Sequence, residues 1–251
     1  MGSKAKGLLH LQYIIGRLLA WLFAPLCYMV IHFYFRYRVD DIRRIRKASR
    51  QRFQQHKGPW LICANHLTMI DSMVLAYALF PMHACIFQYN LLPWNMPERA
   101  NFQKNFLLSF LCYVSKCVPV ARGGDREEMK QVLEKCLFLL RQRKQNFLIF
   151  PEGGRSRTGR VDTQNFTYGV GRFLQDVDNC RVLCVYLRGD HQDQYSNMPY
   201  QGERFTCLVD ILDIPKDNNH RTGLRVQRHY TEQIVQHLAA MEERYFACCR
   251  E

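Results

Sequence analysis

The stretch Trp60-Leu61-Ile62-Cys63-Ala64-Asn65-His66-Leu67-Thr68-Met69-Ile70-Asp71 decides the fold. Its first five residues are apolar without alternation, which fits a strand covered on both faces rather than one with a wet side. Asn65 ends that run, and residues 69–80 carry a helical pattern stopped by Pro81. A strand, a polar loop and a helix in immediate succession are the unit from which α/β sheets are built. In open sheets of that kind ligands gather outside the carboxyl ends of the strands, which is where His66 would sit.

Outward from this unit the alternation continues. Strands are expected at residues 84–88, 117–121, 146–150, 181–187 and 205–211, with helices at 102–114, 126–143, 168–175 and 221–245. The expected fold class is therefore α/β, a mixed and mostly parallel sheet flanked by helices. Glu152 follows the strand at 146–150 as His66 follows the one before it, so both fall where a shared site would need them.

Upstream, residues 18–35 contain no Lys, Arg, Asp or Glu and include Trp21, Phe23, Tyr28 and Phe33. As a helix this run would reach about 27 Å, just short of a hydrocarbon core of about 30 Å. Pro25 would kink it, and cations flank it on both sides: Lys4, Lys6 and Arg17 before, Arg36, Arg38, Arg43 and Arg44 after. That pattern suits a kinked or re-entrant helix in one leaflet as well as a simple span, and a buried core helix is the bland alternative. Val39, Ile42, Ile45 and Phe53 then make an apolar stripe among arginines, a second, basic amphipathic helix for a membrane surface that ends at Gly58-Pro59.

The charge supports this division into a membrane-binding segment, 1–56, and an α/β domain, 57–251. Residues 1–56 hold eleven Lys or Arg against Asp40 and Asp41, whereas the rest of the chain is near balance with 24 basic and 20 acidic groups. A local basic excess beside an apolar run attracts anionic lipid. Nucleic acid is not an expected partner, because no recognition helix, zinc spacing or aromatic interleaving accompanies the charge. A hydrophobic content of 48% excludes a disordered chain. The eleven cysteines include no Cys-x-x-Cys pair and lie mostly in apolar runs, so reduced thiols in a cytosolic compartment are expected, with no disulfide and no metal site.

Three loops carry candidate chemistry. In a straight helix, His66 and Asp71 would diverge by about 140°, so they can meet only if His66 lies in the loop or first turn. There Asp71 can accept from one ring nitrogen and leave the other free to take a proton from an alcohol. Phe150-Pro151-Glu152-Gly153-Gly154-Arg155-Ser156-Arg157 offers a sterically open turn with planar donors suited to phosphate. Val118-Pro119-Val120-Ala121-Arg122 brings one more arginine out of an apolar run. Cys63, three residues before His66, reads as a core thiol rather than a nucleophile, since burial raises a thiol pKa.

In order and spacing these loops resemble the four-block signature of the glycerol-phosphate and lysophosphatidate acyltransferase family, with Val182-Leu183-Cys184-Val185-Tyr186-Leu187 as the fourth block. The resemblance covers roughly residues 60–190, and the N-terminus is similar to that family's membrane-binding helical hairpin. It implies His66 as general base, Asp71 as the holder of its tautomer, and Arg122, Glu152, Gly153, Arg155 and Ser156 as the acceptor-binding set. It further implies direct attack of a lysophospholipid hydroxyl, most readily that of 1-acylglycerol 3-phosphate, on acyl-CoA or acyl carrier protein, with no further cofactor, at the cytoplasmic face of a membrane (the inner one in a bacterium). Gly154 stands where the family commonly has threonine and Cys184 where it has proline, which leaves the acceptor open to another lysophospholipid or an ornithine-lipid precursor. A non-catalytic lipid-binding protein on the same fold is the rival from another class.

Overall fold

The computed structural model describes residues 1–121, 123–193, 195–215 and 223–249. Its centre is a six-stranded sheet of β1 (Arg38–Val39), β2 (Trp60–Ala64), β3 (Trp94–Asn95), β4 (Phe147–Ile149), β5 (Arg181–Gly189) and β6 (Arg204–Leu212). The strands lie in the order β1-β6-β5-β2-β4-β3, and every pairing is parallel except β5 with β6. The sheet is thus mixed and mostly parallel, as the alternation implies.

Side chains alternate across each strand, and here both faces are buried. On β2, Leu61 and Cys63 enter one core while Trp60, Ile62 and Ala64 enter the other. On β5, Val182, Cys184 and Tyr186 join the first and Leu183, Val185 and Leu187 the second. The first core is closed by α6 (Arg126–Arg141), α7 (Gly169–Asp176) and α8 (Leu224–Cys249), the second by α2 (Ile42–Gln55) and α3 (Asp71–Leu79). Each central strand is apolar along its length because it has no wet side.

Before β1 runs α1 (Ser3–Met29), continued by a π-helical turn at Val30–Tyr34. Pro25 lies inside α1 without ending it, and the helix with its turn is long and apolar enough to cross a membrane by length and composition. In the segment expected to form a helical hairpin, α1 and α2 are joined through β1, which pairs with β6. α1 packs on α4 (Met82–Phe87) and α5 (Phe106–Val114), and α2 packs on α3.

Three expected elements differ. Residues 84–88 are not a strand: they fall in α4 and the turn after it. Pro81, which stops one helix, stands at the N-cap of the next, where its fixed φ and missing N–H cost nothing, and a short apolar run fits either state by pattern alone. The strand of that region is β3, only two residues long and beyond the reach of any periodicity. Residues 117–121 make isolated parallel bridges, Asn95 with Cys117 and Glu98 with Val120, rather than a full strand. The helix expected from 102 begins at Phe106, where the side chain of Asn105 accepts from Leu108 N at 3.1 Å and caps it.

Candidate active site

β2 ends at Ala64 because Asn65 turns its amide sideways, donating to Leu187 O at 2.9 Å and accepting from Leu187 N at 2.8 Å. The chain is thereby pinned to β5 just where His66 begins the loop. α3 starts only at Asp71, so residues 66–70 are free to curl. His66 Nδ1 donates to Asp71 Oδ2 at 3.0 Å. The same carboxylate accepts from Leu67 N at 2.6 Å, from Thr68 N at 2.8 Å and from the Thr68 hydroxyl. Four donors hold a side chain that is only 4% exposed, so Asp71 has one orientation available and the imidazole is fixed with its proton on Nδ1.

Nε2 is left with its lone pair. The ring stacks on Phe150, centroids 4.0 Å apart and planes 14° from parallel, and its side chain keeps 17% exposure where it lines an open cleft of about 1840 Å³. Gly153, Gly154, Arg155 and Arg157 line the same cleft. The imidazole therefore shares a cavity with the guanidinium groups of Arg155 and Arg157, and Arg126, Arg172, Lys130, Glu98, Asp125 and Glu127 also line it. Met129, Val132, Leu133, Val170 and Phe173 give the cleft apolar lining as well.

The turn after β4 is built for this. Gly153 has φ +71°, and a Cβ there would lie 2.3 Å from Thr167 Cγ2, so both the backbone and the space require glycine. Glu152 does not face the cleft. Its carboxylate accepts from His66 N at 3.1 Å and from Asp162 N at 3.3 Å, while Ser156 N donates to His66 O at 2.8 Å. Burial pushes the Glu152 carboxyl up to about 7, against the pull of the Asp162 and His66 N–H groups and with added push from the Glu242 and Asp162 carboxylates. The hydroxyl of Ser156 is likewise turned inward, onto Arg160 O at 2.5 Å. Of the residues the sequence singles out, then, His66, Gly153 and Arg155 line the cavity, Asp71 is buried behind the ring of His66, and Glu152 and Ser156 strap the turn to the backbone of His66. Arg122 lies outside the described residues, although Val120 and Asp125 on either side line the cleft.

Several contributors carry no local signal in the sequence. Arg155 is held by Asn197 Oδ1 at 2.8 Å and lies 4.5 Å above the ring of Tyr195, and Asn197 O also accepts from Met69 N at 3.1 Å. That loop is some forty residues away in sequence and reaches the site only through the β5–β6 connection. Phe150 could have been suspected from its place between a strand and the Pro-Glu-Gly turn. Cys63 is fully buried and its thiol is pushed well above the ordinary range by desolvation, so it is no nucleophile at neutral pH. Of the two departures from the acyltransferase blocks, Cys184 is a core residue of β5 and Gly154 lines the cleft. Among the described residues no three His, Cys, Asp or Glu side chains converge to hold a metal ion.

Fold and site together define an α/β protein with an oriented histidine opening into a large cleft lined by both charged and apolar side chains. A family model described as Acyltransferase matches residues 38–188, more than half of the chain, and the protein belongs to that family. No curated protein sequence matches it. Among solved structures it is similar to the 1-acyl-sn-glycerophosphate (LPA) acyltransferase PlsC from Thermotoga maritima, at 12% identity and a TM-score of 0.43, over 93% of this chain and 95% of that one.

Proposed function

We propose that this acyltransferase moves a fatty acyl chain from a thioester of coenzyme A or acyl carrier protein to the hydroxyl of a lysophospholipid, with 1-acylglycerol 3-phosphate as the acceptor and phosphatidic acid as the product. The observation that carries the reading is the His66–Asp71 pair, fixed at 3.0 Å, with its free ring nitrogen in a cleft shared with Arg155 and Arg157. Nε2 takes the acceptor's proton as its oxygen attacks the thioester carbonyl, and Asp71 stabilises the imidazolium that forms. The tetrahedral intermediate then collapses, a C–O ester bond replaces the C–S bond, and the imidazolium returns its proton to the departing thiolate. No covalent acyl-enzyme is required, and no cofactor beyond the acyl donor.

Arg155 and Arg157, joined by Arg122 on the strength of the sequence blocks, hold the acceptor's phosphate, for which a planar donor pair is well suited. The apolar walls receive the acyl chain. The small Gly154 at the cleft is the position at which another acceptor, such as a different lysophospholipid or an ornithine-lipid precursor, would be told apart. Residues 1–56, with their apolar helix and cationic excess, bring the enzyme to an anionic membrane surface on its cytoplasmic face. The test is mass spectrometry of the products formed by purified protein from a panel of lysolipids with both donors. Phosphatidic acid formed by the wild type and lost in His66→Ala is expected; no acylated product from any acceptor would leave a lipid-binding protein on the same fold.

A further inference from the structure

The apolar surface does not end with the N-terminal helix. α1 is anchored along one narrow stripe: the side chain of Gln12 donates to Tyr113 O and Cys117 O, both at 2.9 Å, and a Cβ at Gly16 would strike the Tyr89 hydroxyl and Val114 O. Its other sides, with Leu18, Trp21, Leu22 and Leu26, are exposed. Against this helix lie two elements of the α/β domain, α4 and α5, that carry exposed apolar side chains of their own. Trp21 meets Phe87 of α4 at 5.1 Å, and Phe87 is itself 66% exposed. Phe23 meets Phe110 of α5 at 6.1 Å. α5, Phe106–Val114, contains no charged residue, and it presents Phe106 at 87% and Leu107 at 62% exposure, with Leu108, Phe110 and Tyr113 also exposed. A globular protein does not leave this many large side chains contiguous and wet without something to cover them.

We infer that α5 is a second membrane-inserting element, which with Phe87 of α4 and the outer sides of α1 makes one lipid-facing surface entering a single leaflet of an anionic bilayer. Three observations select a bilayer over a protein partner. The surface is continuous with a helix whose length and composition suit hydrocarbon. Cations flank it, with Lys104 exposed beside α5 and eleven Lys or Arg in residues 1–56. α5 itself, at nine residues, spans only about 13 Å, too short to cross but right for lying at the boundary of headgroups and acyl chains. α1 cannot stand upright across a bilayer while Gln12 and Gly16 are held against the domain, so it too lies in that leaflet. Asn101, four residues before the Asn105 cap of α5, lines the cleft, which brings the cleft close to the lipid from which an acceptor would be drawn.

The inference rests on the membrane reading of residues 1–56 but is separable from the acyl-transfer reading, because vesicle binding needs no substrate. In the full chain, Phe106→Glu with Leu107→Glu places charge on two side chains that hold nothing in the fold. Co-sedimentation with vesicles containing anionic phospholipid should show a partition coefficient lower by about a hundredfold or more, since burying each side chain in hydrocarbon contributes at least about a factor of ten. Leu224→Glu, at an exposed leucine on α8, should stay within about threefold of wild type. Turnover on short-chain, water-soluble substrates should be unchanged in all three proteins. Phe106→Trp supplies a second measurement in an undisturbed fold: the added fluorescence should be quenched by lipids brominated on the acyl chain. Unchanged partition of the charged pair, an added fluorescence insensitive to bromine, or a dimer that the charged pair turns into a monomer at wild-type partition would each overturn the proposal, the last by assigning the surface to a second copy of the chain.

Discussion

Replacing Glu152 by glutamine should flatten the enzyme's pH-stability profile, and the size of the effect follows from where the carboxylate sits. Burial raises the folded-state pKa from an ordinary 4.5 to about 7. The native state therefore binds a proton more readily than the unfolded chain, and the stability this contributes is complete below about pH 4.5 and is lost as the pH rises through 7. Between pH 5 and pH 8 the loss attributable to Glu152 is roughly 2.5 kcal/mol. Glutamine is the neutral shape of the protonated acid and does not titrate, so Glu152→Gln should gain that amount relative to wild type over the same interval. For a chain of this size it corresponds to a relative shift of about 5–10 °C in Tm. The assay is thermal unfolding of both proteins in detergent at closely spaced pH values, where other titrating groups cancel in the difference. Parallel curves would refute the reasoning and put the carboxylate in water. Kinetics give an independent view. A residue that straps the backbone of His66 should, when changed, lower kcat with little effect on the acceptor's KM, whereas a residue touching the acceptor should raise KM.

His66→Ala should reduce kcat by about 10² to 10⁴ with the fold retained, read as product formation at saturating substrates; wild-type turnover would remove the imidazole from the chemistry. Arg155→Ala should raise KM for a phosphate-bearing acceptor by about tenfold or more and leave KM for a neutral acceptor within about twofold, as expected for a charge-assisted contact; an equal effect on both would mean that Arg155 only supports the loop. Gly153→Ala should destabilise by about 1–3 kcal/mol in urea unfolding, because alanine at φ +71° is strained and its methyl meets Thr167. Combining it with Thr167→Ser should recover the steric share and leave the backbone share.

Much of this architecture is legible in the sequence, for a physical reason. β2 and β5 are apolar on both faces because two cores close on them, so Trp60–Ala64 and Val182–Leu187 announce themselves without help from context. β3 gives no such signal: two residues cannot express a period, and the neighbouring run at 84–88 is apolar because α4 packs Cys85 into the second core and lies beside α1, not because it joins the sheet. At the site, the spacing of His66 and Asp71 is enough to require a curled loop between them. What Glu152 does is hidden, because the direction of a side chain in a glycine-rich turn depends on which backbone N–H groups are offered. Those come from His66 and from Asp162, one of them 86 residues distant. Asn197 and Tyr195, which hold Arg155, are in the same position.

The arrangement also explains why the motif needs so many residues to place one nitrogen. His66 is held at four points: its ring by Asp71, its N–H by Glu152, its carbonyl by Ser156 N, and its preceding residue by Leu187. Three of those partners belong to strands or turns on either side of β2, so the base is registered against the sheet rather than against its own loop. Arg155 is carried by the same turn that supplies Glu152 and Ser156 to His66. The turn thus ties the backbone of Arg155 to that of His66, while Asn197 and Tyr195 set where its guanidinium points; under the proposed function, both would fix the depth at which an acceptor meets Nε2. Loosening the strap should therefore harm the chemical step even when every group that touches substrate is still present.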